Sequence, residues 1–433
     1  MAIKTDFRLD KMAKIPIYLQ IYQRYKQQIV SGVLKSGDRV NSIRNLASDL
    51  NLARGTVELA YQMLISEGYF TTKGPAGTFI SSGLENLNDL KTPKIVEHAR
   101  SIEQSSTSKG ILPFQIGLPA LDVFPKKIWA RLANHRLRNI DVEALNYPDP
   151  AGYLPLRNAI ANYLGISRGI NCSPEQIFIT AGYRGALDLI SHTLLHTNDQ
   201  GWYEEPGYIR ARNFMLNRGM LLEPIPVDEN GLNVDIGIER APNAQFAIVT
   251  PTHQSPTGVA LSLARRLQLL EWASNHEAWI IEDDYDSEFR YLGRPLPALK
   301  SLDQNDCVLY CGTFSKVLFP GLHLGYLVVP YQQIESFKNS VNQVSGVGTV
   351  TLQATITDFM EQGHFARHLS RMRALYATRR KFLINAFYKT FGSNIEISQQ
   401  AGGTHILVLF NHHNYNDKTF ACMAQIHNLG IQA

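Results

Sequence analysis

From Phe114 onward, short apolar runs alternate with helical stretches, and four of those runs end abruptly in small or polar residues. Ile177-Phe178-Ile179-Thr180 leads into Ala181-Gly182-Tyr183-Arg184-Gly185-Ala186. Phe246-Ala247-Ile248-Val249-Thr250 leads into Pro251-Thr252-His253-Gln254-Ser255-Pro256-Thr257-Gly258. Trp279-Ile280-Ile281 leads into Glu282-Asp283-Asp284-Tyr285, and the run at Val308-Leu309 passes through Gly312 into Thr313-Phe314-Ser315-Lys316. Such alternation builds a mainly parallel sheet with crossover helices. Parallel strands bring their carboxyl ends to one edge, where a crevice opens. This part of the chain therefore predicts an α/β domain with its chemistry at that edge.

The whole chain has 433 residues, 44% hydrophobic and 18% charged, enough for two or three domains with a sizeable core. It contains no apolar run long enough for a membrane span, and Met1-Ala2-Ile3-Lys4-Thr5-Asp6 has no apolar signal core behind it. Cys172, Cys307, Cys311 and Cys422 lack zinc spacing, so no metal site is expected, and their sparseness suits a reducing cytoplasm. Charge is distributed unevenly. Residues 1–80 hold 11 Lys and Arg against 6 Asp and Glu, whereas the rest of the chain holds 31 against 32. A basic small domain beside a near-neutral large one points to a polyanionic partner for the first.

Within residues 1–80, Pro16 opens a helical pattern with Tyr18, Ile21, Tyr22, Tyr25, Ile29 and Val33 on one stripe. Ser42 is placed to cap a second helix with core positions Ile43, Leu46, Ala47 and Leu50. A third helix turns Val57, Ala60, Tyr61, Leu64 and Ile65 inward. Two short strands follow around Lys73-Gly74-Pro75-Ala76-Gly77. Helix, turn, helix and glycine-rich hairpin is a winged helix-turn-helix, whose third helix enters the major groove with its first turn toward base edges. Arg54, Gly55 and Thr56 occupy that turn, Arg44 lies on the preceding helix, and Lys73 and Gly77 belong to the wing. Arginine pairs with guanine in bidentate fashion, and threonine reaches phosphate or a thymine methyl. Double-stranded DNA is the expected partner, against the plainer alternative of a solvated face with an Arg54–Glu58 pair.

The segment resembles the DNA-binding domain of the GntR regulator family. Its matching motifs are Pro16-Ile17-Tyr18, Ser42-Ile43-Arg44-Asn45-Leu46-Ala47, Ala53-Arg54-Gly55-Thr56-Val57 and Gly74-Pro75-Ala76-Gly77-Thr78-Phe79. Asn41 stands where the family has proline, and Ala53 where it has serine. Residues 81–110, polar and serine-rich, read as a linker with a short helix over 95–102. Residues 111–433 form the large domain.

The four strand ends supply what pyridoxal 5'-phosphate requires. Lys316 offers an amine for its aldehyde, and Asp283 a carboxylate for the pyridine nitrogen. Tyr285 offers a phenolic donor, Tyr208 in Glu205-Pro206-Gly207-Tyr208 an aromatic lid, and Thr313 and Ser315 hydroxyls for a phosphate. Small residues around Tyr183 and Arg184 leave backbone N–H groups free at a helix start, a natural phosphate seat. Singly, Asp283 reads equally well as a helix cap and Tyr208 as a core aromatic, and Lys316 less readily as a loop lysine.

Over about residues 112–430 the chain resembles fold-type I pyridoxal-phosphate aminotransferases, with Asn146-Tyr147-Pro148-Asp149-Pro150-Ala151-Gly152-Tyr153 as a further matching motif. A GntR-type winged helix fused to such a domain resembles the MocR/GabR regulator subfamily. The resemblance implies that Lys316 forms the internal aldimine, Asp283 pairs with the pyridine nitrogen and Tyr285 contacts the phenolate. It also implies a head-to-tail, domain-swapped homodimer. Three positions depart from the pattern. His323 stands where the family's phosphate-gripping arginine falls, with Arg184 as the compensating cation; Ser255 replaces an asparagine. The sequence ends at Ala433, before the strand and helix that carry the family's carboxylate-binding arginine; the expectation is either a shortened C-terminal lobe or an impaired amino-acid site, with Arg210 as the remaining candidate for an effector carboxylate.

The sequence therefore predicts a cytoplasmic transcription regulator that senses an amine, an amino acid or the vitamer through the Lys316 aldimine. The alternatives are a working aminotransferase with an accessory DNA-binding domain, and a dimeric module that has lost its cofactor.

Overall fold

The computed structural model describes residues 9–10, 13, 15–82, 110–291, 293, 296–343, 348–398, 400–411 and 416–433. The expected linker, with its helix over 95–102, lies almost wholly outside them. The chain divides into two compact units, Met1–Thr107 and Ser108–Ala433.

In the first unit, α1 (Ile17–Val30), α2 (Ile43–Asp49) and α3 (Arg54–Ser66) are followed by the antiparallel pair β1 (Phe70–Thr72) and β2 (Thr78–Ile80). Pro16 precedes α1, where its missing N–H costs nothing. Ser42 caps α2, its hydroxyl accepting from the Asn45 N–H at 3.1 Å. The core closes on Tyr25, Tyr61 and Phe70, which meet edge to face at centroid distances of 5.1–5.8 Å. Two expected core positions are corrected. Val33 is 63% exposed because α1 ends at Val30, and Ile65 is 38% exposed because it sits one position off the buried Val57–Ala60–Tyr61–Leu64 stripe.

In the second unit the strands are β3 (Ile177–Thr180), β4 (Gln200–Glu205), β5 (Leu221–Asp228), β6 (Gly231–Leu232), β7 (Phe246–Val249), β8 (Trp279–Asp284), β9 (Val308–Thr313) and β10 (Gly325–Val328). Among the described residues they form one sheet in the order β3-β10-β9-β8-β7-β4-β5-β6. The pairs β9/β8, β8/β7, β7/β4 and β4/β5 are parallel. β10 runs antiparallel to both its neighbours, so β3 points the same way as β9. The carboxyl ends of β3, β4, β7, β8 and β9 thus share one edge.

Helices α4 (Lys126–Arg138), α5 (Leu154–Arg168), α6 (Gly182–Leu194), α7 (Ile209–Asn217), α8 (Val234–Arg240), α9 (Leu263–Asn275), α10 (Ile334–Val341) and α11 (Val350–Glu361) accompany the sheet. Buried side chains pack against it in three clusters. The long α12 (His364–Phe391) leads to a small lobe made of β11 (Ile395–Ile397), β12 (Val408–Phe410) and α13 (Asp417–Ile426). The last residues return to the start of this unit, where the Gly430 N–H donates to the Pro113 carbonyl at 2.8 Å. No helix of the described residues is long and apolar enough to cross a membrane.

Candidate functional site

The alternation of β8 sorts its three acids. Glu282 and Asp284 point to one face and are consumed by structure. Glu282 accepts from the Leu299 and Lys300 N–H groups at 2.8 Å each. Asp284 forms a buried pair with Arg168 at 2.6 Å and accepts from the Tyr310 hydroxyl at 2.6 Å. Asp283 points to the other face, 8% exposed, with no cation holding it in a salt bridge among the described residues. Burial, then the neighbouring Asp284 and Glu204, push its carboxyl well above the ordinary range, and Lys316 draws it back only in part.

Lys316 reaches into the same crevice from the loop after β9. Its Nζ donates to the Gly117 carbonyl at 2.9 Å, and burial lowers its pKa. A Cβ at Gly117, where φ is +85°, would stand 2.6 Å from that nitrogen, so glycine makes the approach possible. The loop is anchored from below: His368 donates its ring N–H to the Val317 carbonyl at 2.9 Å, and Phe319 packs edge to face on Phe124 at 4.9 Å.

Tyr285 stands at the end of β8 with its hydroxyl 3.1 Å from His253 Nδ1. Tyr183, in the first turn of α6, has a buried hydroxyl without a hydrogen-bond partner of ordinary geometry. Tyr208, 40% exposed, tilts against the Tyr183 ring at 6.4 Å. Arg210 follows it on α7, close enough to act on both Tyr208 and Lys316. Thr313 accepts the Ser315 N–H at 3.1 Å, closing the turn before Lys316. His323 is held left-handed (φ 49°) with its ring beside Gly182, at the amino end of α6. Arg184 is turned outward, exposed, with its guanidinium 5.4 Å over the Phe214 ring.

The structure therefore brings Lys316, Asp283, Tyr285, Tyr183, Tyr208 and Arg210 to one crevice, with Thr313, Ser315 and His323 at its rim. Arg184 is not gathered there. These groups fit pyridoxal phosphate: an uncompensated buried acid suits a protonated ring nitrogen, and a depressed lysine suits an aldehyde.

Several neighbours escaped sequence reasoning. Glu204 is fully enclosed, accepting from the Thr250 N–H and hydroxyl (3.1 and 2.6 Å) and from the Gln254 amide (3.1 Å); burial pushes its carboxyl up to about 7. His253 and Asp286 pair at 3.1 Å, and together with His405 they bring ligand-type atoms within 4.8 Å of one another. His253 lies inside the motif after β7 and Asp286 directly follows the motif after β8, which was the available signal, whereas Gly117 carried none.

In the first unit, Arg54 and Gly55 are exposed on the opening turn of α3, and Thr56 is half-buried beside them. No Arg54–Glu58 ion pair forms among the described residues, which leaves the arginine available. Arg44 and Ser42 are exposed on α2, and Lys73 lies 5.1 Å over the Phe79 ring on the wing. Gly77 (φ +105°) carries the wing's return, with the Arg39 guanidinium against it. Arg39 is thus a further basic group at the wing.

Two family models match the chain: bacterial regulatory proteins of the gntR family over residues 17–80, and aminotransferase class I and II over residues 110–427. The chain is 35% identical over 412 residues to the probable rhizopine catabolism regulatory protein MocR of Rhizobium meliloti, covering 93% of this chain and 83% of that protein. It is 34% identical over 400 residues to the pyridoxine biosynthesis transcriptional regulator PdxR of Corynebacterium glutamicum, covering 90% and 82%. Among solved structures, Pyrococcus horikoshii kynurenine aminotransferase superposes with a TM-score of 0.66 at 29% identity, over 74% of this chain and 80% of that one.

Proposed function

The chain belongs to the MocR/GabR subfamily of GntR-type transcription regulators, DNA-binding and pyridoxal-phosphate-dependent, and on that premise we propose that it senses a small amine, amino acid or vitamer in the Lys316 crevice. The observation that carries this reading is the buried Asp283, left without a cation and facing the depressed amine of Lys316. The cofactor supplies an electrophilic carbon and an electron-withdrawing ring. Lys316 would hold it, Asp283 keep its ring protonated, Tyr285 donate to its phenolate, Tyr208 cover it and Arg210 meet an effector carboxylate. Thr313, Ser315, His323 and the amino end of α6 would take the phosphate.

Arg54, Gly55 and Thr56 would read bases, with Ser42, Arg44, Lys73 and Gly77 at the backbone. Winged readers of this kind work in pairs on two half-sites. The exposed apolar run Leu137, Ile140, Val142, Leu145 and Tyr147 supports a homodimer, since so much apolar surface within eleven residues favours a partner. An effector with different affinity for two dimer arrangements would shift DNA affinity, which is sensing rather than turnover.

The test is the visible spectrum of the protein with pyridoxal phosphate, beside Lys316→Ala, followed by operator binding with and without amines. A lysine-dependent band and an amine-dependent change in DNA affinity are expected. Steady conversion of an amino acid and a keto acid, with DNA affinity unmoved, would establish the aminotransferase reading instead.

A further inference from the structure

Beside the crevice lies a cavity of ≈ 240 Å³, walled by the 286–290 segment after β8, the loop after β7 and residues 400–403 of the small lobe. Backbone bonds lace two of these walls: Tyr291 N–H to the Ala401 carbonyl and Gly403 N–H to the Phe289 carbonyl, both 2.9 Å. Ten buried side-chain atoms lack a hydrogen-bond partner among the described residues. Four of them belong to side chains lining this one cavity: His253 Nε2, Ser287 Oγ, Arg290 Nε and Gln400 Oε1. A buried polar atom left unpaired costs on the order of 1–3 kcal/mol. Four in one place describe a site built for something polar.

Their chemistry defines the occupant. His253 Nδ1 stands 3.1 Å from both the Asp286 carboxylate and the Tyr285 hydroxyl; with the ring proton on Nδ1 toward the carboxylate, Nε2 is an acceptor. Gln400 donates an amide hydrogen to the Thr257 carbonyl at 2.9 Å, and its Oε1 is an acceptor. Arg290 is a donor and a cation, and none of the ion pairs among the described residues involves it. Asp286, paired with His253, and Glu229 also line the cavity and supply negative charge. The site therefore asks for an anionic acceptor at one end and a cationic donor at the other. A divalent ion on His253, Asp286 and His405 would leave Arg290 facing another cation.

We propose that this cavity is a second small-molecule site, adjoining the Lys316 crevice through His253 and Tyr285, that takes a zwitterion of amino-acid size. Its carboxylate pairs with Arg290 and Ser287, and its ammonium group donates to Gln400 Oε1 and His253 Nε2. Two walls come from the sheet edge and one from the small lobe, so the occupant ties the lobe to the edge. It also touches His253, whose other nitrogen sits 3.1 Å from the Tyr285 hydroxyl.

The experiment uses full-length Lys316→Ala protein, in which no amine can be exchanged at the crevice, with EDTA present. L-alanine and the other proteinogenic amino acids are titrated by calorimetry and by thermal shift, with acetate and ethylamine as single-charge probes. At least one amino acid binds saturably, and the single-charge probes bind about tenfold weaker or worse. Arg290→Gln weakens binding by about tenfold or more, and Ser287→Ala, too small a change to disturb the fold, by about threefold. Arg290→Lys, which keeps the charge, retains part of the affinity. Three outcomes overturn the proposal: no amino acid binds either Lys316→Ala or wild-type protein, Arg290→Gln and Ser287→Ala both leave affinity unchanged, or wild-type protein binds and Lys316→Ala does not. The last leaves sensing at the crevice standing, so the two readings fail separately.

Discussion

Replacing Asp283 by asparagine reverses sign between the apoprotein and the loaded protein. Without the cofactor, Asp283 is a buried carboxyl pressed upward by burial and by Asp284 and Glu204. Its folded pKa exceeds its unfolded one, so its stabilising contribution is complete below the ordinary aspartate pKa and declines as pH rises toward the folded value. At neutral pH the wild-type apoprotein carries that strain and Asp283→Asn does not. With the cofactor bound, the same carboxylate would gain a protonated ring nitrogen, and breaking a buried charge pair costs about 3 kcal/mol. That corresponds to roughly 150-fold weaker cofactor binding. For a unit of this size about 3 kcal/mol is about 4 °C in Tm. Calorimetric melting at pH 7.5, with and without pyridoxal phosphate, should therefore cross over: the variant melts higher when empty and lower when loaded, and its advantage when empty shrinks toward pH 5. Parallel melting in both states, or cofactor affinity within about twofold of wild type, would refute the assignment of Asp283 to the ring nitrogen.

Four further outcomes follow from the same geometry. Arg54→Ala should weaken operator binding by about 1–3 kcal/mol, seen by fluorescence anisotropy; if Arg54 touches phosphate rather than a base, the loss is uniform across sequences and the salt slope falls by about one. Ser42→Ala removes the α2 cap and should cost about 1 kcal/mol in denaturant unfolding of the winged unit. Glu204, pushed up to about 7 by burial, favours folding fully below pH ~4.5 and loses that contribution as pH rises through about 7. Glu204→Gln should flatten the decline in stability between pH ~5 and ~8, as read by urea titration. Arg168→Met strands Asp284 and should cost about 3–5 kcal/mol, whereas pairing it with Asp284→Leu should recover most of that loss.

The winged helix was legible because capping, periodicity and turn residues are local. Ser42 caps α2 as its position predicts, and the stripe fails only at Val33, where the helix has ended, and at Ile65, one step off the buried face. The sheet edge was legible because strand ends with small and polar residues mark it wherever the strands pair. What sequence could not supply was partnership across the fold. Three consecutive acids at 282–284 look alike in the string. Only Leu299, Lys300 and Arg168, brought in from elsewhere, consume Glu282 and Asp284, whereas Asp283 enters no ion pair among the described residues. Arg184 looked like a phosphate ligand from its place in the helix's first turn. Its side chain instead takes the neighbouring Phe214. Gly117 had no motif at all, yet it bounds the space of Lys316 from 199 residues away.

The crevice can change transcription only through a difference in affinity. A ligand that binds two dimer arrangements equally moves neither, however tightly it binds. Couplings of about 1–3 kcal/mol, or roughly 5- to 150-fold in affinity, are typical of such devices, and one charged contact made in only one arrangement supplies that much. Arg210 is suited to the task. It is exposed on the first turn of α7, adjacent to the Tyr208 lid and within the field of Lys316, and no salt bridge among the described residues commits it elsewhere. A carboxylate arriving on an amine effector would therefore find its cation in Arg210 and its amine's destination at Lys316. Effectors carrying both groups should accordingly shift DNA affinity more than simple amines that react equally well at Lys316. If a simple amine shifts it equally, the signal arises at the lysine alone.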